Sequence, residues 1–163
     1  MTNETIAKLI DNGDDFERKW ELRRQRRVEL SDEAQTHNKP VLFDVLHGLG
    51  VAKVEVYFDG YGDAGQIEDI AAFDAAGAKL KVNGLLTIKT VKDDLTEGHI
   101  EDKQCSIAEG IERVCYEYLT ATHDGWENDD GSFGTFVFDV AAHTVKLDVS
   151  ERYTETRDYE HEF

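Results

Sequence analysis

Apolar positions along this chain follow two different spacings, and the change between them falls near residue 50. Phe16, Trp20, Val28 and Leu30 form a thin stripe at helical steps among charged residues, which predicts a helix from about Asp15 to Ala34. Pro40 is well placed at a helix start, so a second, short helix is expected over residues 41–49. From Val51 the stretch to Asp59 is β-branched and aromatic, with Val54, Val56 and Phe58 on one face of a strand. Further strands are expected over Gln66–Phe73, Lys79–Val82 and Leu85–Val91, the last two hinged as a hairpin at Asn83-Gly84. Lys92–Lys103 is polar and reads as a surface connection.

Ser106–Thr122 is the clearest helix. Ser106 and Glu109 make a capping-box pattern, and Ile107, Ile111, Val114, Cys115, Tyr118 and Leu119 recur at three- and four-residue steps. Strands follow over Gly134–Val140 and Thr144–Val149, joined by a tight turn at Ala141-Ala142-His143. The tail from Ser150 alternates enough to predict a final strand anchored by Tyr153, Tyr159 and Phe163. Consecutive strands joined by tight turns imply antiparallel pairing. The expected class is therefore α+β: N-terminal helices, one antiparallel sheet, and one amphipathic helix packed across it. Residues 1–50 form the helical segment and 51–163 the α+β part of a single domain, a size that buries a real core.

Two stretches break this pattern and resemble each other. Asp59-Gly60-Tyr61-Gly62-Asp63-Ala64-Gly65-Gln66-Ile67 and Asp124-Gly125-Trp126-Glu127-Asn128-Asp129-Asp130-Gly131-Ser132-Phe133-Gly134 each join Asp-Gly to an aromatic residue, then add carboxylates and glycines. Loops carry function more often than cores. The candidate binding residues are accordingly Asp59, Tyr61, Asp63, Gln66, Trp126, Glu127, Asn128, Asp129 and Asp130. The two loops are expected to lie together at one end of the sheet.

Charge narrows the possible partners. The net charge is −17, from 35 acidic and 18 basic side chains. Residues 1–50 hold 10 acids and 8 bases, net −2; residues 51–163 hold 25 and 10, net −15. A polyanion or an anionic membrane is a poor partner for such a chain. The charge fits first a solvated surface, and it would also suit a protein that imitates nucleic acid. The bases of the first part concentrate at Arg18, Lys19, Arg23, Arg24, Arg26 and Arg27. They either pair with Glu17, Glu21 and Glu29 along their own helix or lie against an acidic body, in the same chain or in a second copy. No apolar run spans a bilayer, and polar residues follow Met1, so a cytoplasmic location and no membrane partner are expected.

Familiar chemistry is missing. A calcium loop aligned on Gly131 puts Trp126 first and Val137 twelfth, and the first stretch puts Ala64 where glycine belongs. His123 beside Asp124 would form a metal site or acid–base pair only if the tail returned His161, Glu160 and Glu162 to it. There is no nucleophile elbow, phosphate loop or dinucleotide fingerprint. Cys105 and Cys115, taken as lying on one helix, are about 15 Å apart along its axis, too far for a disulfide. No catalytic residue, metal or cofactor is therefore expected.

Three spaced motifs carry a resemblance. Residues 56–68, residues 125–136, and Glu151-Arg152-Tyr153-Thr154 with Tyr159-Glu160-His161-Glu162-Phe163 resemble, in order, the signatures of an uncharacterised bacterial family, the domain of unknown function 6878 family. The resemblance covers about residues 50–163. It implies a compact domain found in proteobacterial chromosomes, plasmids and phages, and it brings no activity, cofactor or catalytic residue.

Two functional readings follow. One is an acidic protein-binding domain that meets a basic, nucleic-acid-binding partner, such as an inhibitor of host defence carried by a mobile element, with a homodimer also open. The other is a small enzyme or ligand-binding domain built on Asp59, Asp63, His123, Asp129 and Asp130.

Overall fold

Helix α1 runs Asn3–Gly48 with Pro40 inside it. The two helices expected from the sequence are thus one. In the computed structural model residues 3–93 and 98–163 are described, with side chains from Asp15 onward. A proline in a helix interior costs about 3 kcal/mol. Just beyond it Leu42, Phe43 and Leu46 are fully buried, and each such side chain returns about 1.5–3 kcal/mol. Packing therefore outweighs the break that Pro40 alone would impose.

The chain divides into two units. The first comprises residues up to Lys39 together with Thr87–Gln104. Strands β4 (Leu85–Lys92) and β5 (His99–Ser106) pair as a two-stranded sheet, and most of each strand belongs to this unit. Leu30, Ala34 and Asn38, at four-residue steps on α1, are buried, as are Ile88 and Thr90 of β4. Asn38 replaces a strand neighbour: its Nδ2 donates to the Lys89 carbonyl at 2.8 Å and its Oδ1 accepts from the Lys89 N–H at 2.7 Å. A lone hairpin is marginal in water; the amide of Asn38 and the apolar stripe anchor it to the helix. The predicted surface connection over Lys92–Lys103 is corrected here. Residues 94–97 lie outside the described residues, and from His99 the chain is strand. That strand is mostly exposed, so it lacks the apolar alternation by which a strand is recognised.

The second unit, Pro40–Leu86 with Cys105–Phe163, holds a five-stranded sheet in the order β3-β2-β1-β6-β7. The strands are β1 (Lys53–Tyr61), β2 (Ala64–Phe73), β3 (Lys79–Leu80), β6 (Ser132–Asp139) and β7 (Thr144–Glu151). Every pairing is antiparallel. Val54, Val56 and Phe58 of β1 share one face with Phe136 and Phe138 of β6, and all five are buried. The helix α2 (Ile107–Thr122) supplies Ile107, Ile111, Val114, Cys115 and Leu119 to the core; Tyr118, expected in the same stripe, is half-buried. Both bonds of the predicted capping box are present: Glu109 N donates to Ser106 Oγ at 3.2 Å, and Ser106 N to Glu109 Oε2 at 2.7 Å. The turn at residues 141–143 is also as expected, closed by Ala142 N donating to Asp139 Oδ1.

Two further expectations are overturned. Asn83-Gly84 closes no hairpin, because β3 pairs with β2 and β4 belongs to the other sheet. Gly84 instead lets α2 begin against it: Ile107 N donates to its carbonyl, and a Cβ there would meet the Ile107 side chain at 3.2 Å. The tail is not a strand either. β7 ends at Glu151, which pairs with Ser132, the first residue of β6. No partner strand is left for the following residues, and Tyr153, Tyr159 and Phe163 are exposed. The cysteines do not share a helix, since Cys105 lies in β5; both are buried, and no disulfide joins them.

Candidate functional site

The first of the two repeated stretches is mostly strand. β1 continues through Tyr61 and β2 begins at Ala64, leaving Gly62-Asp63 as a two-residue turn. Both have positive φ, 59° and 64°. Such a turn matches the twist of the strands it joins and demands residues that tolerate the left-handed region. The second stretch is a true loop between α2 and β6. Its own bonds fold it: Asn128 N to Gly125 O, Gly131 N to Asn128 O, and Ser132 Oγ to Trp126 O at 2.6 Å.

The two tips meet. Gly62 N donates to Asp129 O at 3.2 Å and Asp63 N to Glu127 O at 3.0 Å. Trp126 closes the joint. Its indole packs against Gly60 and Gly65, which face each other across the hairpin, and a Cβ at Gly60 would stand 2.6 Å from the ring. Phe58 meets the indole edge-on at 5.4 Å, and Tyr116 of α2 stacks on it at 6.4 Å. The Tyr116 hydroxyl also accepts from Ile67 N at 2.9 Å, beside the bulge where Glu68 is the extra residue of β2. The glycines of the signature thus serve close packing against an aromatic ring.

Arg152 ties a third segment to this joint. Its N–H donates to Gly131 O at 2.9 Å. Its guanidinium donates to Gly60 O at 3.0 Å, pairs with Asp59 at 2.9 Å, and lies 4.6 Å over the Phe133 ring. Sequence reasoning placed Arg152 in a motif without giving it a role. The available signal was an arginine following β7 amid carboxylates.

The sequence-predicted residues divide by role. Asp59 is held by Arg152 and accepts from the Tyr57 hydroxyl at 3.4 Å. Gln66 donates to Glu68 at 3.0 Å. Trp126 and Asn128 build the joint. Tyr61, Asp63 and Asp129 are exposed. Asp130 accepts from Thr154 Oγ1 at 2.7 Å. Glu127 Oε2 is buried and has no hydrogen-bond partner. His123 Nδ1 stands 3.4 Å from Glu151, and His161 lies in the tail against Phe163. The tail strand on which a site at His123 with His161 depended does not form, since β7 ends at Glu151.

Two open clefts flank the joint. One, of about 540 Å³, is lined by Asp59, Tyr61, Gln66, Glu68 and Arg152 among others. The other, of about 230 Å³, runs between His123, Asp129, Asp130, Glu151 and Tyr153. Asp59 and Glu68 thus line one groove, and Asp124, Asp129, Asp130 and Glu151 the other. Among the described residues no group of three or more His, Cys, Asp or Glu side chains is arranged to hold a metal ion, and no helix is long and apolar enough to cross a membrane. On α2, burial pushes up Cys115, Glu117 and Tyr118.

The family of unknown function DUF6878 matches residues 34–163, and the chain belongs to that family. No curated protein and no solved structure matches it.

Proposed function

We propose that this member of the DUF6878 family is an acidic protein-binding domain that acts on a basic, nucleic-acid-binding partner in the cytoplasm. Regulation or inhibition of a host defence protein by a mobile element is the setting that this chemistry suits. The observation that supports the reading is the joint itself. It brings Asp63 against the loop that carries Asp129, and Asp124, Asp129, Asp130 and Glu151 line one groove there. The guanidinium beside them, that of Arg152, is engaged by Asp59 and Gly60. Such a surface steers a cationic partner and speeds its association.

The test uses the full chain as bait in host lysate at low and at high ionic strength. Basic proteins are expected to be retained at low salt and released at high salt, since exposed charges are screened. The double substitution Asp129→Asn with Asp130→Ser should slow association and leave melting unchanged. Retention indifferent to salt and to this variant would overturn the proposal.

The alternative, a ligand-binding domain, is favoured by the 540 Å³ cleft beside Arg152. Saturable binding of a small molecule, abolished by Arg152→Ala and untouched by the Asp129/Asp130 variant, would establish it instead.

A further inference from the structure

The outward half of α1 carries large apolar side chains that no described residue of its own unit covers. Phe16, Trp20, Leu22 and Val28 are 70%, 57%, 58% and 54% exposed. On the same helix Leu30 and Ala34 are buried against the hairpin unit at 3% and 2%. Phe16 and Trp20 lie one turn apart on one face of the helix; continued by alternating three- and four-residue steps, that face carries Arg23 and Arg27 and then the buried Leu30 and Ala34. Isolated helices of this length are marginal in water. Along residues 15–29 the described ion pairs are solvated: Asp15 with Arg18 and Lys19, Glu21 with Arg24, Glu29 with Arg26, and Arg27 with Asp93, which follows β4. Exposed pairs of this kind add little.

We propose that this half of α1 pairs antiparallel with the same segment of a second copy, across a two-fold axis at Trp20. The charge order along the helix selects this occupant and this direction. In a parallel pair each residue would face itself, setting Arg23 on Arg23 and Arg27 on Arg27. In the antiparallel pair, positions equidistant from Trp20 meet. Glu17 then faces the second copy's Arg23, Lys19 faces its Glu21, and Phe16 faces its Arg24. The two Trp20 rings meet at the axis. Arg24 already lies 5.9 Å over the Trp20 ring of its own helix, and arginine stems cover aromatic faces well. A two-fold contact of this kind closes on itself, so association stops at the dimer.

Sedimentation equilibrium of the full chain should give a dimer. Trp20→Glu should give a monomer whose thermal transition for the second unit is retained. Glu17→Arg should weaken the dimer at least tenfold, because arginine would then face Arg23. Adding Arg23→Glu should restore it. The two positions are six apart and do not neighbour each other on one helix, so a rescue reports contact between copies. Under oxidation, Trp20→Cys should cross-link to itself. A chain that stays monomeric at every concentration would overturn the proposal. So would a dimer in which the charge swap fails to rescue, which would place α1 on the acidic body of the second copy. Assembly seen only with a different protein would overturn it as well.

Discussion

Helix α2 and residues 15–29 of α1 are similar in length but are stabilised by different forces. α2 has a capping box at its start and a continuous apolar face, with Ile107, Ile111, Cys115 and Leu119 at 2% exposure or less. The α1 segment lies inside a long helix, far from either end, and its large apolar side chains are more than half exposed. Intrinsic helix propensity favours the α1 segment, rich in Arg, Glu, Lys and Gln, over α2, which carries Gly110 and the β-branched Ile107, Ile111, Val114, Thr120 and Thr122. What also differs is the surface against which each helix is set. Helical conformation in one is a product of core burial. In the other it is an extension of a helix anchored further along, at Leu30, Ala34 and Asn38.

The sharpest way to break this contrast is to place a charge in each stripe. Ile111→Asp removes a buried side chain worth about 1.5–3 kcal/mol and adds the larger penalty of burying a carboxylate. It should abolish the cooperative melting of the second unit, while Trp20→Asp leaves that transition in place. Equal melting of the two variants would erase the distinction. A smaller effect is expected at the cap. Ser106→Ala removes the acceptor for Glu109 N, which should lower stability by about 1 kcal/mol, measured by denaturant unfolding. The smallest effect concerns Glu117. Burial holds its carboxyl above the ordinary value of 4.5, with Arg113 opposing in part. The fold therefore favours the protonated form: its contribution is fully present below the unfolded pKa and is lost as pH rises through the folded one. Glu117→Gln should raise the melting temperature at neutral pH, and the gain should vanish at pH values below about 4. A gain that persists in acid would show that charge burial is not its cause.

The same contrast explains what was legible in the sequence. α2 was legible because its apolar period and its cap agree with its burial. The strands β1, β6 and β7 were legible through alternation, and the shared Asp-Gly-aromatic pattern placed the two tips together. What escaped was whatever a distant partner decides. Pro40 marks a helix start by local rules, yet Leu42, Phe43 and Leu46 carry the helix through it. Asn83-Gly84 has the chemistry of a hairpin, but it is taken up by close packing with Ile107. β5 carries no alternation because it is a largely exposed strand. In the candidate site, the glycines and Trp126 were visible as a pattern. Their mutual contact was not, and Arg152 acquired its role only when β7 ended beside Gly60 and Gly131.

The strand order also dictates when this protein can become a protein. β1 lies at the centre of the sheet and pairs with β6, joining Lys53 to Asp139, 86 positions later. Closing so long a loop slows folding. During synthesis β1 and β2 emerge as a hairpin with one edge bare. They must wait until the hairpin unit and α2 have been made before β6 can cover that edge. A nascent chain halted before residue 132 would expose an unpaired, apolar β1 edge, a template for aggregation or for a chaperone. The late-arriving segment 124–139, which brings both Trp126 and β6, is therefore the step that commits the second unit to its native state.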